Sequence, residues 1–151
     1  MRNYHNPKAR GERGQRIAIG ELAKIGIDVA IPLSDNLPWD LIVIFEGKLL
    51  KAQIKSSKTE FDLRWGNWYK REKYHYSIGD CDIMLLCDYQ NVYVIGPKEF
   101  INRSAISIRK EKSKNGQEKG THSHNDYLLS VERLRKLISS DEVTDLPNLD
   151  S

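Results

Sequence analysis

PWDLIVIFEGKLLKAQIKSS, residues 38–57, holds two apolar runs joined by Glu46-Gly47. WDLIVIF (39–45) and KLLKAQIKS (48–56) are each long enough for a strand, and an acidic residue followed by glycine between them signals a tight hairpin. Three polar residues interrupt the pattern: Asp40 at the start of the first run, Gln53 and Lys55 in the second. Side chains alternate along a strand, so Leu50, Ala52 and Ile54 face one way while Lys51, Gln53 and Lys55 face the other. Gln53 and Lys55 then lie roughly 6.6 Å apart on one face. The hairpin folds the end of the second strand back beside Asp40. Buried strands seldom carry an acid, an amide and an ammonium together without a chemical use for them.

A carboxylate and an amide oxygen can hold a hard divalent ion such as Mg²⁺, or Mn²⁺ in its place, with several waters kept on the metal. The ion polarises a phosphate and lowers the pKa of its bound water, and a nearby lysine orients that water or stabilises charge developing on phosphorus. The three residues thus suit phosphodiester cleavage. An Asp followed later by Gln-x-Lys also arises by chance, and a lone strand lysine is commonly a solvated edge position. The setting of these three, inside apolar strands on either side of a tight turn, gives the pattern its weight.

Around this hairpin the chain reads as a mixed sheet flanked by helices. Residues 1–10 form a basic arm. From about Gly11 a stripe of Gly11, Gln15, Ala18, Leu22 and Ile25 predicts a helix that ends at Gly26. IDVAIPL (27–33) reads as a strand and SDNLP (34–38) as a turn. DIMLLCDY (82–89) and VYVIGP (92–97) form a second strand pair, and 101–120 ends in a charged, glycine-punctuated loop. NDYLLSVERLRKLI (125–138) predicts one amphipathic helix, capped by Ser123 or Asn125. Its face of Tyr127, Leu128, Val131, Leu134 and Ile138 is expected to pack on the sheet. Residues 1–140 read as a single domain and 141–151 as an acidic flexible tail. The class is α/β (α+β), without the regular alternation of a doubly wound fold, and without a glycine-rich phosphate loop.

At 151 residues and 39% hydrophobic composition the chain can build a core without staples. It shows no apolar run of membrane-spanning length and no secretory leader pattern. Cys81 and Cys87 sit in an apolar stretch and read as reduced core residues of an intracellular, cytoplasmic protein. The formal charge is +3, but Asp141, Glu142, Asp145 and Asp150 concentrate acid in the tail and leave +7 on residues 1–140. A basic body suits a polyanion.

RWGNWYKREKYHY (64–76) interleaves cations with rings: Arg64, Lys70, Arg71 and Lys73 among Trp65, Trp68, Tyr69, Tyr74 and Tyr76. Such segments contact phosphates and stack on bases, though half of the rings or more are expected to cover the sheet. Lys58 and, on the arm and first helix, Arg10, Arg13 and Arg16 extend the basic surface. His122 and His124 have no companions at zinc spacing, and no Ser or Cys nucleophile stands in a recognisable motif.

GIDVAIPLSDNLPWDLIVIFEGKLLKAQIKSS (26–57) resembles the core of the PD-(D/E)xK nuclease superfamily, nearest to the small group with certain homing endonucleases; Holliday-junction resolvases share its frame. The likeness runs from about Gly11 to Pro97 and includes YHYSIGDCDIMLLCDYQNVYVIGP (74–97), where the family tends to have a Tyr before an apolar strand pair. The resemblance implies a restriction-endonuclease-like core, with Asp40 as the metal-binding aspartate and Lys55 as the catalytic lysine. Gln53 stands where most of the superfamily has an acid, a replacement the homing branch tolerates. The family's first-helix glutamate falls on Gln15, with Glu12 one turn outward and Asp35 in the turn as further candidates; Glu21 reads as a surface acid. A metal-dependent DNA endonuclease follows, acting on duplex or branched DNA as a homodimer or homotetramer. The alternative is a nuclease-fold DNA-binding module whose chemistry has lapsed.

Overall fold

The computed structural model describes residues 7–57, 62–64, 76–88, 90–103, 105–109, 121–140, 143 and 145–149. Helix α1 (Pro7–Lys24) begins earlier than its apolar stripe suggests, with proline at its first position, where a missing N–H costs nothing. Ala18 and Leu22 are fully buried, as the stripe predicts. Its N-terminal end differs. Gly11 is exposed with open space around it, and the buried glycine is Gly14, where an added Cβ would stand 1.7 Å from Ser56 Oγ. Gly11 lies past the sheet, so the helix meets the strands one turn later than expected. The helix ends at Gly26 (φ 76°), with Ile27 N–H donating to Leu22 O and Gly26 N–H to Ala23 O, a glycine C-cap that satisfies two terminal carbonyls.

The strands follow as β1 (Asp28–Ala30), β2 (Leu41–Phe45), β3 (Lys48–Ser56), β4 (Asp62–Arg64), β5 (Ile83–Cys87) and β6 (Val92–Ile95). Five of them form a mixed sheet ordered β1-β2-β3-β5-β6, in which β3 and β5 are parallel and the other neighbours antiparallel. Glu46 and Gly47, both at positive φ (46° and 76°), close the β2–β3 hairpin in the left-handed geometry that matches strand twist. After a single helical turn, α2 (Pro97–Phe100), come β7 (Ala105–Arg109) and β8 (Thr121–Ser123), which join β4 in a smaller sheet ordered β4-β7-β8. None of these three strands is expected from the sequence pattern, which gives only the five of the larger sheet.

The single C-terminal helix expected over 125–138 is two pieces, α3 (His124–Tyr127) and α4 (Val131–Ser139). Between them Leu128 pairs with Tyr93, and Leu129 N–H donates to Val92 O at 2.9 Å. The edge of β6 takes these residues out of the helix. Ser130 then caps α4, its hydroxyl accepting from Arg133 N–H at 3.0 Å, in place of the Ser123 or Asn125 cap.

The sheet separates two cores. On one side α1 and α4 cover it, with Ala18, Leu22, Leu41, Val43, Leu50, Ala52, Ile83, Leu85, Leu134 and Leu137 buried together and Val131 and Ile138 at the margin. On the other lie Tyr76, Cys81, Met84, Leu86, Tyr93, Ile95, Phe100, Ile106 and Ile108, with Trp39, Tyr127 and Leu128 against them. The C-terminal face thus packs on the sheet, and both cysteines are buried and free. In the acidic tail, Leu49 N–H donates to Pro147 O and Leu149 N–H to Gly47 O, while Leu146 packs on the first core. The described tail residues therefore lie along the hairpin. No described helix is long and apolar enough to cross a membrane.

Candidate active site

β3 runs nine residues where β2 runs five, so the ladder between them stops at Leu41 and Ala52. Beyond it the backbone N–H of Ile54 points to the side where β2 has ended. Asp40 fills the gap: its own N–H donates to Ala52 O at 2.8 Å, and its Oδ2 accepts from Ile54 N–H at 2.8 Å. The same Oδ2 accepts from Gln53 Nε2 at 2.8 Å. With the amide nitrogen on Asp40 and near Ile54 O (3.3 Å), Gln53 Oε1 is left without a hydrogen-bond donor among the described residues, as is Asp40 Oδ1. Two hard oxygens without donors therefore belong to hydrogen-bonded neighbours at a half-buried strand end.

Lys55 lies one alternation further along the same face, with its Nζ 5.5 Å from the centroid of the Tyr76 ring. Burial pushes its pKa down, while the charges of Asp40 and Cys81 act in the opposite direction. Tyr76 is buried and meets Phe100 edge-on, with ring centroids 6.2 Å apart. The ring thus gives the ammonium a favourable electrostatic surface in a place with little water. Lys51, the third polar residue of this face, is tied away. Its Nζ donates to Gly79 O at 2.7 Å, and its backbone exchanges hydrogen bonds with Asp82.

The structure therefore brings Asp40, Gln53 and Lys55 together. It does not join Gln15 or Glu12 to them. α1 packs on the opposite face of β3, with Gly14 against Ser56 and Ile54, and among the described residues neither Gln15 nor Glu12 hydrogen-bonds to the three. Asp35 is exposed in its turn, and Glu21 pairs with Lys24 at 2.7 Å on the surface. Among the described residues no three acids, histidines or cysteines cluster as a metal site. Asp40 is accordingly the one formal negative charge on the oxygen pair. The donor set still fits a hard, water-rich cation such as Mg²⁺, with Asp40 Oδ1 and Gln53 Oε1 as the atoms that would hold it.

Arg10 and Arg13 line an open cleft with Gly14, Ile17, Ser56, Ser57, Cys87 and Asp88. Arg16 is exposed and is not among the residues lining that cleft. Lys58, Trp68, Lys70, Arg71 and Lys73, expected to contact nucleic acid, lie outside the described residues, and Arg64 is described only through its backbone in β4. Tyr76 was visible in the sequence as one ring among several. Its place over Lys55 follows from the pairing of residue 76 with Ile101, which no local spacing reports.

A family model of PD-(D/E)XK endonucleases matches residues 5–130, and the chain belongs to this family of nucleases. Among solved structures it is similar to that of a bacterial homing endonuclease, I-Ssp6803I. The TM-score is 0.59 at 28% sequence identity, over 76% of this chain and 84% of that one. No curated protein matches the chain.

Proposed function

We propose that the chain is a Mg²⁺-dependent endodeoxyribonuclease, with Mn²⁺ able to substitute, and that Asp40, Gln53 and Lys55 form its centre. The supporting observation is their convergence where β2 ends and β3 continues, with Asp40 Oδ1 and Gln53 Oε1 unoccupied by donors. A divalent ion bound there supplies Lewis acidity to the scissile phosphate. Asp40 would contribute the negative charge that holds the cation, and the Asp40–Gln53 hydrogen bond keeps the two side chains together. Lys55, restrained by Tyr76, presents its ammonium where charge grows on the phosphate. One such centre cuts one strand, so cutting both strands calls for a symmetric homodimer or homotetramer. The likeness to a homing endonuclease favours long duplex sites over four-way junctions.

A lapsed DNA-binding module is the second reading, favoured by the single acid at the oxygen pair and by the lack, among the described residues, of a hydrogen bond from Gln15 to it. Purified protein should be offered supercoiled plasmid, linear duplex and a synthetic four-way junction with Mg²⁺, Mn²⁺ or EDTA. The nuclease reading expects metal-dependent products, lost with Asp40→Asn and reduced about 10²–10³-fold with Lys55→Ala. Salt-sensitive binding that ignores EDTA and both substitutions, with no product from any substrate, would sink it in favour of the module.

A further inference from the structure

A cleft lies beside Ser56, between the N-terminal half of α1 and the ends of β3 and β5. We propose that it seats a backbone phosphate of bound DNA, next along the strand from the one Lys55 faces; this rests on the reading of the chain as a DNA nuclease. Lys55, Ser56 and Ser57 are consecutive, and Ser57 N–H donates to Cys87 O at 2.9 Å, so the line of β3 continues past its last residue. Lys55 and Ser57 are therefore roughly 6.6 Å apart, of the order of the step between neighbouring phosphates on one strand. The cleft lies between α1 and the ends of β3 and β5, past the end of the strand that carries Lys55.

Its lining has the chemistry for an anion. Arg10 and Arg13 are three residues apart on α1 and share a side of the helix. Gly14 lets that turn approach Ser56 closely, since any Cβ there would strike the serine hydroxyl. Arg10 Nε is shut from solvent and has no hydrogen-bond partner among the described residues. A buried donor in that state lacks only an acceptor, and a phosphate oxygen supplies one with charge assistance. Asp88 is the acid of the cleft. Its carboxylate accepts from Gln90 N–H (2.7 Å), Asn91 N–H (2.6 Å) and Tyr93 OH (3.2 Å), so its charge is already spread over the turn that follows β5. Among the described lining residues two guanidiniums stand against one such carboxylate, a positive balance, with Ser56 and Ser57 beside them. Arg135, paired with Glu46 at the hairpin end of the sheet, supplies the contrast.

The test uses the full chain in EDTA, so that binding is read without cutting. Affinity for a fluorescent duplex is followed over a range of KCl for the wild type, Arg10→Gln, Arg13→Gln and Arg135→Gln. Each cleft substitution should lower the slope of log K against log salt by about one, the loss of one phosphate contact, while Arg135→Gln leaves it unchanged. Equal losses at all three arginines, or an unchanged slope for Arg10→Gln, would overturn the cleft and leave the nuclease reading standing. A titration of the wild type with inorganic phosphate, followed through amide NMR shifts, guards against a variant that fails to fold. Shifts gathered at Ser56, Ser57 and Arg10 support the seat, even if the duplex proves not to be cut. Shifts spread evenly over the basic surface reject it.

Discussion

Gly14 is where α1 touches β3, and its contact with Ser56 is tight enough to be tested by exchange of atoms. A Cβ at position 14 would lie 1.7 Å from Ser56 Oγ and 3.1 Å from its Cβ. Gly14→Ala should therefore destabilise the fold by about 1–3 kcal/mol through overpacking, seen as a lower urea midpoint. Ser56→Gly in the same chain removes both obstructing atoms and should recover most of the loss, a coupling expected only of residues in contact. The choice of Gly14 over Gly11 was not legible in the sequence, because the stripe runs through Gly11 and only the packing against Ser56 shows which glycine is covered. Asp40, Gln53 and Lys55 were legible, because strand alternation and a tight hairpin leave little freedom in where they go. The hydrogen bond from Ile54 N–H to Asp40 was not, since it follows from the unequal lengths of β2 and β3.

The split of the C-terminal helix shows how a correct periodicity can still give a wrong element. Tyr127, Leu128, Val131, Leu134 and Ile138 do recur as helical spacing requires, and all meet the sheet or its cores. The pattern carries no sign that Val92 O will take Leu129 N–H, nor that Leu128 will pair with Tyr93. Once that edge pairing forms, α4 needs its own start, and Ser130 provides it. Ser130→Ala should then cost about 1 kcal/mol, measured by denaturant unfolding, whereas Ser123→Ala should cost much less because it does not cap this helix. A single continuous helix would give the opposite ranking.

Cys81 and Cys87 stand just before and at the end of β5, one in each of the two cores that the sheet separates. Burial, with help from neighbouring carboxylates, pushes both thiols up to about 12. In the unfolded chain they ionise near their ordinary value of about 8.5. Between these values the unfolded chain loses protons that the native protein keeps, so stability is intact below the lower one and falls as pH rises towards the upper. Unfolding midpoints should accordingly drop between about pH 8.5 and 12, with the drop reduced in Cys81→Ala/Cys87→Ala. At neutral pH both thiols should resist alkylation in native protein and become reactive together under denaturant, if the two cores open as one unit. Reaction of one cysteine well before the other would mean that one side of the sheet opens alone.

The docked residues near the C-terminus set the polarity of the molecule for anyone who handles it. Leu149 is bonded at the Gly47 turn, while Asp40 and Lys55 occupy the other end of strands that run roughly 17 Å from turn to site. A dye, bead or fused domain joined beyond Leu149 is thus attached at the pole remote from the candidate centre. Surface immobilisation through that end would leave the cutting face turned outward to solution.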